Sequence, residues 1–135
     1  MAYKIEEIEG VGPAFAQKLS SARIATTDDL LQQCCEPSGR KRIAEATGIN
    51  ESLILKWSNH ADLMRVSGIG PQFAELLEAS GVDTIKELRT RNADNLAARI
   101  HEVNQSKKLA KTAPVPSIIE GWIKQAAGIE PKISH

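Results

Sequence analysis

Apolar residues recur along this chain at spacings of three and four, and no stretch sustains the two-residue alternation of a strand. The pattern predicts an all-helical protein. Ile5 and Ile8 mark a short first helix that stops at Gly10. Pro13 opens the next one, because a first-turn residue needs no amide donor. Phe15, Ala16, Leu19 and Ala22 supply its apolar stripe. Thr26 with Asp29 is a capping pair that starts a third helix through Leu30 and Leu31. Pro37-Ser38-Gly39 reads as a turn, followed by a helix over about 40–47 with Gly48 as its stop. Asn50 caps a helix carrying Leu53, Ile54 and Trp57, which Asn59 or His60 is expected to break or bend. Residues 61–66 lead into a second turn. Pro71 opens another helix that Gly81 ends, and Thr84 with Glu87 repeats the capping pair. Asn92 is a cap for a helix through Val103, and Ser117 with Glu120 caps a last helix ending near Gly128.

The pattern is doubled. Residues 8–30 align without a gap on 66–88, with eight of 23 positions identical. Ile8-Glu9-Gly10-Val11-Gly12-Pro13-Ala14-Phe15-Ala16 matches Val66-Ser67-Gly68-Ile69-Gly70-Pro71-Gln72-Phe73-Ala74. Beyond this the match loosens, and Ser52, Ile54 and Trp57 recur as Ser117, Ile119 and Trp122. An extra stretch near 104–116 with Lys107, Lys108, Lys111, Pro114 and Pro116 reads as a basic loop. The expected organisation is two repeated subdomains of about five short helices each, 1–60 and 61–129, followed by an exposed or frayed tail, 130–135. Neither half has a large core alone, so both tryptophans and the repeat-related aliphatics are expected to cement the pair.

Composition narrows the function. Hydrophobic residues at 41% and charged residues at 25% describe a globular chain. Seventeen basic and seventeen acidic residues cancel, which weighs against strong autonomous DNA binding but leaves room for a basic face. Cys34 and Cys35 are adjacent and give no disulfide framework. His60, His101 and His135 have no metal-ligand spacing with them, so neither a metal nor another cofactor is expected. The Met1-Ala2 start fits an unprocessed chain, and the lack of an apolar signal region or long apolar run makes a cytoplasmic protein without a membrane partner the expectation. No nucleophile motif or phosphate-loop lysine is present, so an enzyme is not expected.

The candidate chemistry lies in Gly10-Val11-Gly12 and Gly68-Ile69-Gly70. Glycines permit backbone angles and close approach that a Cβ blocks. Each turn opens a helix whose unpaired amides and dipole favour an anion. Val11 and Ile69, between the glycines, are expected to enter the core.

These residues, with Ile8, Ala16, Leu19, Val66, Ala74 and Leu77, resemble the helix-hairpin-helix family of DNA-binding units. The whole chain is similar to an uncharacterised bacterial family built of two such units, of SAM-like fold. The resemblance implies sequence-independent contact with the sugar–phosphate backbone, usually of double-stranded DNA across the minor groove. Where such binders carry Lys, Arg, Ser or Thr after the Gly-x-Gly-Pro, this chain has Ala14 and Gln72. Lys18 and Arg23 stand near the first turn, whereas Glu75 and Glu78 follow the second. The first hairpin is therefore expected to face the anion and the second to be mainly structural. Lys107, Lys108 and Lys111, the Arg40-Lys41-Arg42 cluster, and Arg89 with Arg91 would add charge if they share a face with a hairpin. Two functions stay open: a non-catalytic nucleic-acid-binding module, and a protein-interaction scaffold whose hairpins are structural.

Overall fold

The computed structural model describes residues 3–135; Met1 and Ala2, read above as an unprocessed start, lie outside the described residues. The chain is all-helical. A 3-10 turn, Ile5–Glu7, precedes α1 (Gly12–Ser21), α2 (Thr27–Cys34), α3 (Pro37–Thr47), α4 (Glu51–Leu63), α5 (Pro71–Ala79), α6 (Ile85–Leu88), α7 (Ala93–Lys107) and α8 (Pro116–Ala127). Among the described residues this is nine helical segments rather than the ten expected.

Local chemistry sets most boundaries. The Thr26 side chain accepts from the Asp29 amide at 3.1 Å, and Asp29 accepts in return from the amides of Ala25 and Thr26. Those bonds, Ala25 first, hold the Asp29 carboxyl below its ordinary value. Thr84 accepts from Glu87, Asn50 from Ser52 and Asn92 from Asn95, as the capping patterns require. Gly48 ends α3 in the left-handed region at φ +74°.

Four expectations need correction. Pro37-Ser38-Gly39 is the first turn of α3, because Pro37 fills a position where no amide is needed. α4 runs unbroken through Asn59 and His60 to Leu63, across the boundary expected at 60/61. Both side chains are buried, so core packing overrides their weak helix preference. α7 continues past Val103 to Lys107, which shortens the loop expected at 104–116 to 108–115. α8 starts at Pro116 after an extended Val115, so Ser117 is helical and is no cap.

The buried residues form one continuous cluster that includes Trp57 and Trp122. α4 is its spine: it packs on α2 and α3 on one side and on α5 on the other. Near its end, buried Asp62 accepts from the Ile85 amide at 2.8 Å and from Arg65 at 2.7 Å. One carboxylate thus fixes the start of α6 and anchors a guanidinium.

The tail is not frayed. Ile133 is buried, and the Ser134 amide donates to the Cys35 carbonyl at 2.8 Å. Arg40, 4% exposed, donates to the carbonyls of Cys34 and Ser134, while Arg65 donates to that of Glu130. Residues 130–134 therefore strap the C-terminal end onto α2 and α3. Ile133→Ala is expected to lower stability by about 2 kcal/mol, with Lys132→Ala, at an exposed position, within about 0.5 kcal/mol of the parent. Urea unfolding of the three proteins checks this.

Burial pushes the Cys34 thiol up to about 11, against the pull of Arg40 and Arg42. The unfolded chain releases that proton near 9.0, so this contribution is whole below that pH and is lost as pH rises toward about 11. The urea midpoint is expected to fall between about pH 8 and about pH 10.5, and to fall less for Cys34→Ala.

Candidate nucleic-acid interface

The two glycine turns begin alike. Gly10 has φ +90° and Gly68 φ +95°, both in the left-handed region. The Val11 amide bonds the Ile8 carbonyl and the Ile69 amide bonds that of Val66, both at 3.1 Å. Val11 and Ile69 are buried as expected. A tryptophan lies under each turn. A Cβ on Gly10 would sit 3.8 Å from the Trp57 Nε1, and one on Gly68 only 3.1 Å from the Trp122 Nε1. Phe15 packs on Trp57 at a 5.1 Å centroid distance, and Phe73 on Trp122 at 5.4 Å.

The turns diverge at their second glycine. Gly12 remains left-handed at φ +62°, whereas Gly70 is extended at φ −93° and caps α5. A Cβ would meet nothing within 4 Å at either position. The first α5 amide to bond back is that of Ala74, to the Gly70 carbonyl at 2.9 Å. The amides of Gln72 and Phe73 precede it and are the helix's open donors.

Two grooves meet at Gln72. The first, about 610 Å³, has Tyr3, Glu7 and Glu9 on one wall and Gly68, Gly70 and Phe73 on the other. It brings the edge of the first turn, at Glu9, against the second. The second groove, about 800 Å³, sets Gln72 opposite Asn104, Gln105, Lys108 and Lys111. Its far wall is a built loop. The Asn104 side chain donates to the Ala110 carbonyl and accepts from its amide, both at 3.0 Å, and Lys108 turns left-handed at φ +53°. The order across the surface is first turn, acidic groove, second turn, basic groove.

This arrangement redistributes the candidate residues. Lys108 and Lys111 share a groove with Gln72 of α5 rather than with either glycine turn, and Lys107 is the last residue of α7. Exposed Ala14 lies in the first turn of α1, as exposed Gln72 does in α5. Lys18 is exposed, its Nζ 5.9 Å from the Phe15 ring centroid. Arg23 is placed differently: at φ +68° it ends α1 where Gly81, φ +94°, ends α5. It therefore lies about 16 Å along the helix axis from Gly12 and is not gathered at the turn.

Arg40 is held in the interior and adds no surface charge, Arg91 is engaged by Glu87 and the Gly81 carbonyl, and Arg89 stays exposed. Glu78, expected to repel an anion, is paired with Lys56 of α4, Nζ at 3.8 Å, and lies 3.2 Å from His60 Nε2 without a hydrogen bond to it. Asn104 escaped the sequence reading because position 104 was taken as loop. Nothing in the sequence linked Tyr3 or Glu7 to the second turn. No group of three or more His, Cys, Asp or Glu among the described residues is arranged to hold a metal, and no helix there is long and apolar enough to cross a membrane.

The profile of a family described only as a domain of unknown function, DUF4332, matches residues 9–129, nearly the whole chain. Large ribosomal subunit protein bL21 of Hyphomonas neptunium is 30% identical over 66 residues, which is 49% of this chain and 28% of that protein. The chain thus spans less than a third of the length of that curated relative. No solved structure matches.

The glycine geometry separates a folding role from a ligand role. Gly68→Ala forces a left-handed alanine against Trp122 and is expected to cost at least about 2 kcal/mol. Gly70→Ala needs no such angle and meets open space, so its cost should stay under about 1 kcal/mol. Thermal and urea unfolding of both variants test the contrast, and equal losses would contradict it.

Proposed function

We propose that this chain, which belongs to the DUF4332 family, is a non-catalytic module of two helix-hairpin-helix units that holds the sugar–phosphate backbone of a nucleic acid without reading bases. The observation that carries this reading is the basic groove. Gln72, whose own amide is one of the open donors at the start of α5, lines this groove across from Lys108 and Lys111. Amides at a helix start and lysines on a fixed loop are complementary to a phosphate oxygen. The start of α5 at Gln72 is then the principal anion contact, and the first turn contributes through its backbone and Lys18. Glu9 and Glu7 keep the space between the turns unfavourable to phosphate, so backbone contact centres on the basic groove. The partial likeness to a large ribosomal subunit protein makes duplex RNA a necessary competitor beside duplex DNA.

A labelled duplex titrated at several salt concentrations tests the proposal. Affinity should fall as salt rises, and Lys108→Glu with Lys111→Glu should weaken binding at least about tenfold and flatten the salt slope by about 0.9 per lost phosphate contact. Lys18→Glu should weaken it less, and Lys41→Glu, on α3, should leave it unchanged. Absence of binding at low salt would overturn the reading.

A second reading, a protein-docking scaffold, is favoured by the packing of Trp57 and Trp122 under Gly10 and Gly68, which accounts for one glycine of each pair without any ligand. It predicts a protein partner retained after nuclease treatment.

A further inference from the structure

Two features of this face are unused by phosphate binding. The first groove combines the carboxylates of Glu7 and Glu9 with two half-buried aromatic rings, Tyr3 and Phe73. Glu7 Oε2 accepts from the Lys4 amide at 2.9 Å, which fixes that carboxylate at the groove wall. The groove suits a segment carrying both positive charge and apolar side chains.

The connection between α7 and α8 is such a segment. It carries Lys108 and Lys111, and it ends in Val115, 54% exposed, with Ile118 at 50% just inside α8. These two are the exposed large hydrophobic residues among the described part of the chain. Exposed apolar side chains beside charged ones mark interaction surfaces. The Asn104 clamp on Ala110 holds the connection on the far side of Gln72 from the acidic groove; Leu109, Ala110 and Ala113 rest against the core, which leaves Lys108, Lys111 and Val115 exposed and away from the chain's own acidic groove.

We propose that the occupant of the acidic groove is the α7–α8 connection of a second copy of this chain. Gln72 lines both grooves, so donor and acceptor surfaces are neighbours on one face. A two-fold axis near Gln72 would seat each basic connection in the partner's acidic groove, the self-complementarity that an isologous dimer requires. Zero formal net charge leaves no overall repulsion between copies. Lys108 and Lys111 then serve either a phosphate or a second copy, so self-association and nucleic-acid binding exclude one another at this groove. That exclusion rests on the proposed function; the self-association does not.

Sedimentation of the full chain over a concentration series, at low and high salt, reads the pairing. A concentration-dependent dimer that weakens with salt is expected. Glu9→Lys and Lys111→Glu should each weaken it about tenfold, and an equimolar mixture of the two variants should recover a heterodimer through the restored opposite charges. Val115→Asp, outside both charge sets, should also weaken it. All variants are checked for the parent's circular dichroism and unfolding midpoint. Glu9→Lys should retain duplex binding, whereas Lys111→Glu should lose affinity for both the duplex and the second copy. A chain that stays monomeric at all concentrations, or a mixture that fails to restore pairing, would overturn the dimer while leaving the duplex titration to judge the phosphate groove.

Discussion

Both glycine turns depend on a tryptophan wedged beneath a left-handed glycine. Trp57 on α4 and Trp122 on α8 each lie against the first glycine of one turn, Gly10 and Gly68 respectively. Each ring also packs against the phenylalanine one turn into the following helix. The turn, the start of the helix and the closing helix are therefore held by one aromatic pair. This couples local shape to the core: the helix start cannot shift without unpacking a buried indole. A rigid presentation of open amides is what anion contact requires, because donors fixed in advance bind without an ordering cost.

The helix starts at the two glycine turns were legible because both stretches spell the same constraints in residues of few alternative uses. Two glycines, a proline and a phenylalanine in register specify a turn, a helix start and a ring contact. Thr26 and Thr84 specify caps, and all of these are found at their expected places. What escaped the reading is non-local. His60 and Asn59 looked like helix breakers, yet burial against other elements carries α4 straight through them. The tail was expected to be exposed or frayed, yet Ile133 is buried and the Ser134 amide bonds the Cys35 carbonyl, a docking that no sequence period announces.

The candidate site was half legible for the same reason. Periodicity and spacing locate the turns but say nothing of which loop lies beside which turn. The charge pattern along the chain favoured the first turn, because Lys18 and Arg23 follow it and two glutamates follow the second. The structure reverses much of that contrast. Arg23 is used as a left-handed stop at the far end of α1, Glu78 is taken up by α4, and the lysines of a distant loop arrive beside Gln72. Linear neighbours are a weak guide to spatial neighbours when helices turn back on themselves every ten residues or so.

Net charge is the remaining tension, since equal numbers of acids and bases give a chain no overall attraction for a polyanion. The balance hides a division of labour. Arg40, Arg65 and Arg91 are engaged internally with carbonyls and carboxylates, where the planar guanidinium supplies several donors at once. Lys108 and Lys111 are exposed on the loop that walls the second groove. Glu7 and Glu9 collect on the opposite side of Gln72. Within a screening length of about 8 Å at physiological salt, an approaching partner responds to this local separation rather than to the total. A neutral chain can therefore carry one edge complementary to an anion and an adjacent edge complementary to a cation.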